Sequence, residues 1–247
     1  AVEWIAPPEK RPLNQTRGEV LSCKQISPTF MRMRLIGDFS AYALPEAGLH
    51  FRFLLGPNGS DLPTLDEKGL TYWPGGLAAW HRPVFTVRRI ADTHDWIDVD
   101  IALHEGGRTT HWCRNVLPGT IVGLNGPSGS KMPIASRLGL FGDETAMPAI
   151  LRILDATPST TKAAATIAIR DPADAQEIYS SADVSLSWGE MRHEITLLKD
   201  LKNLELSQED LFVFFAAERA LADQARAYLK DSGLASSQFR VATYWTK

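Results

Sequence analysis

The sequence predicts a two-domain protein, an N-terminal antiparallel β-barrel over residues 1–130 followed by a C-terminal α/β domain with a parallel sheet over residues 131–247. Three observations predict it. Before about residue 130 the apolar residues alternate with polar ones, the period of short strands buried on one face. After Lys131 the apolar runs become uninterrupted, as strands covered on both faces require. Those runs then alternate with segments of helical period, which is the pattern of an α/β layer structure.

The barrel strands follow in order. In Phe30-Met31-Arg32-Met33-Arg34-Leu35 the residues Met31, Met33 and Leu35 share one face and the two arginines the other. In Trp96 to Ile101, Ile97, Val99 and Ile101 alternate with Asp98 and Asp100. His50 to Leu55, Pro83 to Ile90 and Thr120 to Leu124 are further strand-like runs, with turns at Gly56-Pro57-Asn58-Gly59 and Pro74-Gly75-Gly76 between them. Many short strands separated by glycine and proline read as a barrel or sandwich.

The second half opens with Leu138-Gly139-Leu140-Phe141, a buried strand that ends at Gly142. A helix is predicted over about Ala146 to Asp155, with Thr145 as N-cap and Pro148 in the first turn. Ala163 to Ile169 and Leu211 to Ala217 read as parallel strands, and a helix follows over about Arg219 to Lys230. Its Leu221, Ala225, Tyr228 and Leu229 fall on one face. Gly233 stops it, Phe239 to Trp245 gives the last strand, and Ser180 to Asp183 reads as a loop.

Composition removes several function classes. The chain is 44% hydrophobic and 22% charged, with a net charge of -3. That is a globular composition with no general affinity for nucleic acid or an anionic membrane. Its apolar stretches are too short to span a bilayer, and the N-terminus lacks the apolar core of a secretory signal. Cys23 and Cys113 have neither metal-site nor CxxC spacing, so neither a disulfide framework nor a zinc site is expected. A reduced, intracellular compartment fits.

Three segments carry chemistry. His81-Arg82-Pro83-Val84-Phe85-Thr86-Val87-Arg88-Arg89 offers an aromatic wall, a hydroxyl and a cation on one strand, as a flavin ring and its pyrophosphate require. Leu103-His104-Glu105-Gly106-Gly107-Arg108-Thr109-Thr110-His111-Trp112 leaves a strand, passes two glycines and enters a short helix. Glycines allow close backbone approach, and hydroxyls with helix-start amides hold phosphate. Phe141-Gly142-Asp143-Glu144-Thr145-Ala146-Met147-Pro148-Ala149 places a glycine and three polar groups at the carboxyl end of a parallel strand, where open α/β sheets bind ligands. Its acidic pair suits a nicotinamide amide, a flavin edge or plain capping, and not a simple phosphate cradle.

Taken in order, these segments resemble the siderophore-interacting proteins, a branch of the ferredoxin-reductase-like flavoproteins, over nearly the whole chain. The family pattern runs Arg-x-Tyr-Thr-x-Arg, a His-Gly-containing loop ending in Trp, Pro-Gly-Asp and Gly-Pro, Gly-Asp-Glu-Thr-Ala-x-Pro-Ala, Ala-Gly-Glu and Tyr-Trp-Arg. Here the counterparts are Phe85-Thr86-Val87-Arg88, His104 to Trp112, Pro118-Gly119-Thr120 with Gly126-Pro127, and Gly142 to Ala149. Ala216-Ala217-Glu218 and Tyr244-Trp245-Thr246 complete the set. The octapeptide Gly142 to Ala149 is the most specific match.

The resemblance implies a cytoplasmic FAD enzyme that reduces ferric siderophores and releases ferrous iron. It implies that Phe85 faces the isoalloxazine, that Thr86 bonds near its N5 edge, and that Val87 belongs to the same strand. Arg88, His104, Gly107, Thr109 and Thr110 would hold the ribityl and phosphate part, and Asp143, Glu144 and Thr145 would lie on the nicotinamide side. NADPH, NADH or a ferredoxin would supply electrons; Arg170, Arg192 and Arg219 are the regional candidates for a nucleotide phosphate. Arg52, Lys131 and Lys247 are expected to draw in an anionic chelate. No general base and no metal ligand are expected. Two rivals remain, a siderophore carrier without turnover and a general flavin or electron-transfer reductase. The sequence carries no signal for an oligomeric state.

The chain departs from the pattern at four points. Phe85 replaces Tyr. The first arginine of the motif falls on Pro83, with Arg82 one place early and so turned to the other strand face. Ala217 replaces the Gly of Ala-Gly-Glu, which predicts weaker binding of a pyridine nucleotide. Thr246 and Lys247 stand where Trp should be followed by Arg.

Overall fold

The computed structural model describes residues 15–57, 59–190, 195–206 and 210–246. Lys247, one of the expected substrate contacts, and Arg192 lie outside the described residues. The chain divides into two compact units, one built from 1–24, 32–99 and 105–131, the other from 25–31, 100–104 and 132–247.

The first unit rests on a seven-stranded sheet. Its strands are β1 (Gln15–Ser27), β2 (Phe30–Gly37), β3 (Gly48–Leu54), β6 (Val84–Thr86), β7 (Arg89–Ile90), β8 (Trp96–Ala102) and β9 (Ile121–Lys131), in the order β6-β3-β9-β1-β2-β8-β7. A short helix α1 (Ser40–Ala43) follows β2, a small hairpin of β4 (Thr64–Leu65) and β5 (Thr71–Tyr72) lies between β3 and β6, and helix α2 (Arg108–Asn115) precedes β9. Pairing is antiparallel where β1 meets β9, β3 meets β9 and β6, and β7 meets β8.

The outer strands β6 and β7 are joined by only Val87 and Arg88. The Val87 amide donates to Leu49 O on β3 at 3.1 Å, and the Arg88 amide donates to Asp98 O on β8 at 2.8 Å. These two residues turn the corner between the sheet edges, so the sheet curls into a barrel-like form. That is why the expected strand Pro83 to Ile90 is two short strands.

Inside, Met31, Met33 and Leu35 are buried as the alternation predicts, together with Leu49, Phe51, Phe53, Ile97, Val99 and Leu124. Phe51 packs edge-to-face on Phe53 at 4.8 Å and on Tyr42 at 6.3 Å. Asp98 and Asp100 depart from the simple alternation, since both are buried. Asp98 is compensated by a two-pronged bond from Arg34, Nε to Oδ1 and Nη2 to Oδ2, both 2.8 Å. The Arg34 guanidinium also lies 3.8 Å over the Trp96 ring. Charges leave water only with such partners.

The second unit is a parallel sheet of β10 (Arg137–Asp143), β11 (Lys162–Ile169), β12 (Asp183–Glu190), β13 (Leu211–Glu218) and β14 (Phe239–Trp245), in the order β12-β11-β10-β13-β14. Helices α3 (Met147–Ala156), α4 (Ile195–Asn203) and α5 (Arg219–Asp231) connect them. The chain winds outward in both directions from β10, which makes the β10/β13 junction the topological switch point, and Asp143 and Glu218 end those two strands. Helix α3 is buried along most of its length, from Met147 to Leu154. Helix α5 buries Leu221, Ala222, Ala225 and Leu229, and Gly233, at φ 82°, ends it. β12 and α4 were not anticipated, although Leu197, Leu198 and Leu201 join the core with Leu211 and Val213. No helix among the described residues is long and apolar enough to cross a membrane.

Candidate functional site

In the first unit the aromatic-Thr-x-Arg segment sits at the barrel corner, where backbone geometry fixes each side chain. Register pairs Phe85 with Phe51 and Thr86 with His50, so the two motif residues point to opposite faces. Phe85 is half-buried, with its ring edge-to-face on Phe53 at 5.5 Å, and Phe53 in turn lies 6.0 Å from Trp112 of α2. Thr86 is buried with Oγ1 3.1 Å from His50 Nδ1. Val87 is buried at the turn, and Arg88 is 1% exposed. Such burial of a guanidinium marks a fixed local positive charge.

Helix α2 supplies the second element. Gly106, at φ 72°, turns the chain into the helix, and Gly107 occupies the N-cap with no side-chain bond. The first turn holds no acidic residue. Gly107 therefore brings no side-chain acceptor of its own to the amides at the helix start. Thr109 and Thr110 are buried, and Thr109 Oγ1 lies 2.8 Å from His81 Nε2. Burial, and then the nearby Arg108 charge, lower the His81 pKa and favour its neutral form. A helix start without acid, two hydroxyls and a glycine are a donor set of the kind that fits the pyrophosphate of FAD. His104, by contrast, is exposed and belongs to the segment 100–104 of the second unit.

In the second unit the Gly142 to Ala149 segment occupies the carboxyl end of β10. A Cβ on Gly142 would lie 2.6 Å from the Ala146 Cβ and 2.8 Å from Ala216 O, so only glycine lets β10 approach β13 here. Asp143, 2% exposed, accepts from Thr145 N at 2.9 Å, Thr145 Oγ1 at 2.5 Å and Trp245 Nε1 at 2.7 Å. Burial raises its pKa, while those three donors pull it back. Glu144 is also buried, and Arg170 Nε lies 2.6 Å from its Oε1. Burial pushes the Glu144 pKa up against that pairing.

Two expectations change here. Thr145 is not the N-cap: Ala146 holds that position without a side-chain bond, because the Thr145 hydroxyl is spent on Asp143. Arg170 is committed to Glu144 and to Leu103 O at 2.5 Å, so it is not an uncommitted phosphate ligand. Ala217 is fully buried in the core cluster with Phe141, Leu197 and Leu221. Its methyl is packing, and the expected obstruction of a nucleotide finds no support. Arg219 begins α5 and is exposed.

Of the substrate candidates, Arg52 is the exposed member of the otherwise buried strand β3. It pairs in register with Val84, and its Nη1 donates to Arg82 O at 2.8 Å. The Arg82 guanidinium lies 5.2 Å over the Trp73 ring, which fits its shifted spacing. Lys131 ends β9 and is exposed. His50, His81 and Trp245 escaped notice as supports, because each partner is distant in sequence.

An antiparallel barrel-like module followed by a parallel module is a fold shared with a ferredoxin reductase and a cytochrome b5 reductase domain of known structure. A model of the siderophore-interacting FAD-binding domain matches residues 19–131, and one of the siderophore-interacting protein matches residues 135–247. The chain belongs to the siderophore-interacting protein family. It is 26% identical to the ferric vibriobactin reductase ViuB of Vibrio cholerae serotype O1, over 91% of this chain and 86% of that one. It is 24% identical to the NADPH-dependent ferric-chelate reductase of Escherichia coli K12, over 92% and 91%. A siderophore utilization protein from T. fusca superposes with a TM-score of 0.81 at 24% identity, covering 97% of this chain and 95% of that chain.

Proposed function

We propose that the protein is an FAD-dependent reductase of ferric siderophores. The observation that carries the reading is that both halves match models of the siderophore-interacting proteins, one of them an FAD-binding domain, and the matched chains named as ferric reductases align over nine-tenths of this one. The acid-free start of α2 and the buried Arg88 support it on physical grounds. Bound FAD would supply the conversion of a two-electron donor into single-electron steps.

The residues of this chain then position and tune. Phe85 walls the flavin ring, and Thr86, oriented by His50, bonds its edge. Arg88 and the amides and hydroxyls of Thr109 and Thr110 neutralise the pyrophosphate, with Gly107 allowing close approach and His104 and Arg82 as outer contacts. We assign FAD to residues 1–130 and the electron donor to residues 131–247, with Asp143, Glu144 and Thr145 at the donor's nicotinamide end. NADPH is the first donor to test, on the name of the Escherichia coli relative, followed by NADH and a ferredoxin. Arg52, Lys131 and Lys247 attract the anionic chelate, and the reaction is assigned to the cytoplasm. No side chain is given a proton-transfer role.

The test is anaerobic. Yellow holoprotein is mixed with each donor while flavin absorbance is followed, and ferric siderophore is then added with a ferrous trap. Bleaching by one donor and saturable ferrous release are expected. Binding of siderophore without any release would make the protein a carrier. Equal rates with free flavin or ferric citrate would make it a general reductase.

A further inference from the structure

The pairing of β3 with β6 runs on past the three residues of β6. Phe51 faces Phe85 and Arg52 faces Val84 in register, Phe53 N donates to Pro83 O at 2.9 Å, and Leu55 and His81 exchange backbone bonds of 3.0 and 2.8 Å. His81 is therefore four residues along an extended ladder from Phe85, about 13 Å away. At that far end His81 Nε2 meets Thr109 Oγ1 at 2.8 Å.

Immediately beyond His81 are two tryptophans. Trp80 is 5% exposed, and its Nε1 donates to Pro74 O at 2.9 Å. It lies so close on Gly56 that a Cβ there would come within 2.5 Å of the indole. Trp73 is half-buried, with its ring 5.7 Å from that of Trp80 and edge-to-face with it. The exposed Arg82 places its guanidinium 5.2 Å over the Trp73 ring, while its carbonyl accepts from Arg52.

We propose that Trp73, with Arg82 over it, is the subsite for the adenine of FAD. The subsite rests on the FAD reading and serves the part of the cofactor to which no residue has been assigned. FAD carries its flavin ring, pyrophosphate and adenine in that order. The first unit offers an aromatic wall at Phe85, hydroxyls at Thr109 and Thr110, and an indole plate past His81, in the same order. Adenine is a flat, uncharged aromatic that stacks on indole and guanidinium planes alike. Trp80 is fixed by its own hydrogen bond and by Gly56, so the plate is braced before any ligand arrives, which lowers the ordering cost of binding. Core packing does not require an aromatic ring at position 73, since Trp80 already closes the interior here and Tyr72 and Leu77 nearby in sequence are 60% and 48% exposed. FMN has no adenine, so Trp73 is a contact that only FAD makes and a determinant of FAD over FMN.

The apoprotein is titrated with FAD and with FMN while flavin fluorescence is followed. W73A should weaken FAD binding roughly 5- to 150-fold and leave FMN within about twofold of the parent. W73L keeps apolar bulk without the plane and should lose FAD as W73A does, whereas W73F should retain most of the preference; circular dichroism establishes that each variant is folded. Equal weakening of FAD and FMN in W73A and W73L would mean that Trp73 only braces the phosphate end, and unchanged affinity for both would place adenine elsewhere. Either result overturns the subsite. A folded parent that takes up neither flavin overturns the FAD reading itself, a failure told apart because it is seen before any residue is changed.

Discussion

Replacing Trp245 by Phe removes one hydrogen bond from a carboxylate that has left water. Asp143 is 2% exposed, and Trp245 Nε1 reaches its Oδ2 at 2.7 Å, while Thr145 bonds only Oδ1. The indole is therefore a donor to Oδ2 that ties the last strand, β14, to the end of β10. A hydrogen bond to a charged group contributes about 1.5–3 kcal/mol. For a chain of this length each 1 kcal/mol moves the melting temperature roughly 2–4 °C, so W245F should melt about 3–12 °C lower at neutral pH.

The pH dependence gives the prediction its sign. Burial already raises the Asp143 pKa above its unfolded value. Such a carboxyl stabilises the fold fully below its unfolded pKa, and that contribution is lost as pH rises through the folded pKa. Loss of the indole donor raises the folded pKa further. The W245F deficit should therefore be largest at neutral pH and shrink under acid conditions, where Asp143 is protonated in both proteins. Melting followed by far-UV circular dichroism over a pH series reads this directly. D143N supplies the control, since W245F should cost less in that background if the two groups are coupled. A deficit that is independent of pH and unchanged in D143N would mean that only ring packing was lost, and the hydrogen-bond argument would be refuted.

Three further outcomes are expected. T109V/T110V should weaken FAD retention by about 1–3 kcal/mol, or roughly 5- to 150-fold in dissociation constant, read by flavin titration of the apoprotein. R52A should raise the Michaelis constant for an anionic ferric siderophore, an effect that added salt mimics in the parent, while FAD content stays normal; unchanged kinetics across ionic strengths would make Arg52 a surface charge. A217G should destabilise the protein by about 1.3–1.8 kcal/mol, from about 0.8 for one buried methylene-sized group and about 0.5–1 for glycine in a strand, with the donor's Michaelis constant unaffected.

What the sequence disclosed depended on how local its cause was. β10, β11 and β13 were legible because burial on both faces writes itself as continuous apolar runs, whereas β14 is an edge strand with no buried residue. β1 left no such trace: only Gly18 and Val20 of its 13 residues are buried, so its pairing with β9 comes from backbone bonds that any residue can make. β12 is an edge strand with a weak alternation of Val184, Leu186 and Trp188 against two serines, and its helix successor α4 is short. The corner at Val87 and Arg88 was illegible for a different reason. Nothing in an apolar-Thr-x-Arg run says that consecutive amides will serve opposite sheet edges.

The same distinction separates the site residues from those that hold them. Thr145 was legible as a polar residue at a helix start, but which group it serves depended on Asp143 being buried two residues earlier, and the carboxylate outcompeted the helix for the hydroxyl. His50 and His81 each brace a threonine 36 and 28 residues away, a relation that no spacing rule encodes. Ala217 shows the converse failure. Its alignment with a family glycine suggested a ligand contact, yet the side chain points into the core with Leu221 and Ala225. Glycine at such a place can serve the backbone of β13 as well as a ligand, and alanine keeps the strand while filling the core. The motif position was therefore informative about Glu218, which ends β13 and caps α5 by accepting from Ala220 N at 2.7 Å, and uninformative about its neighbour.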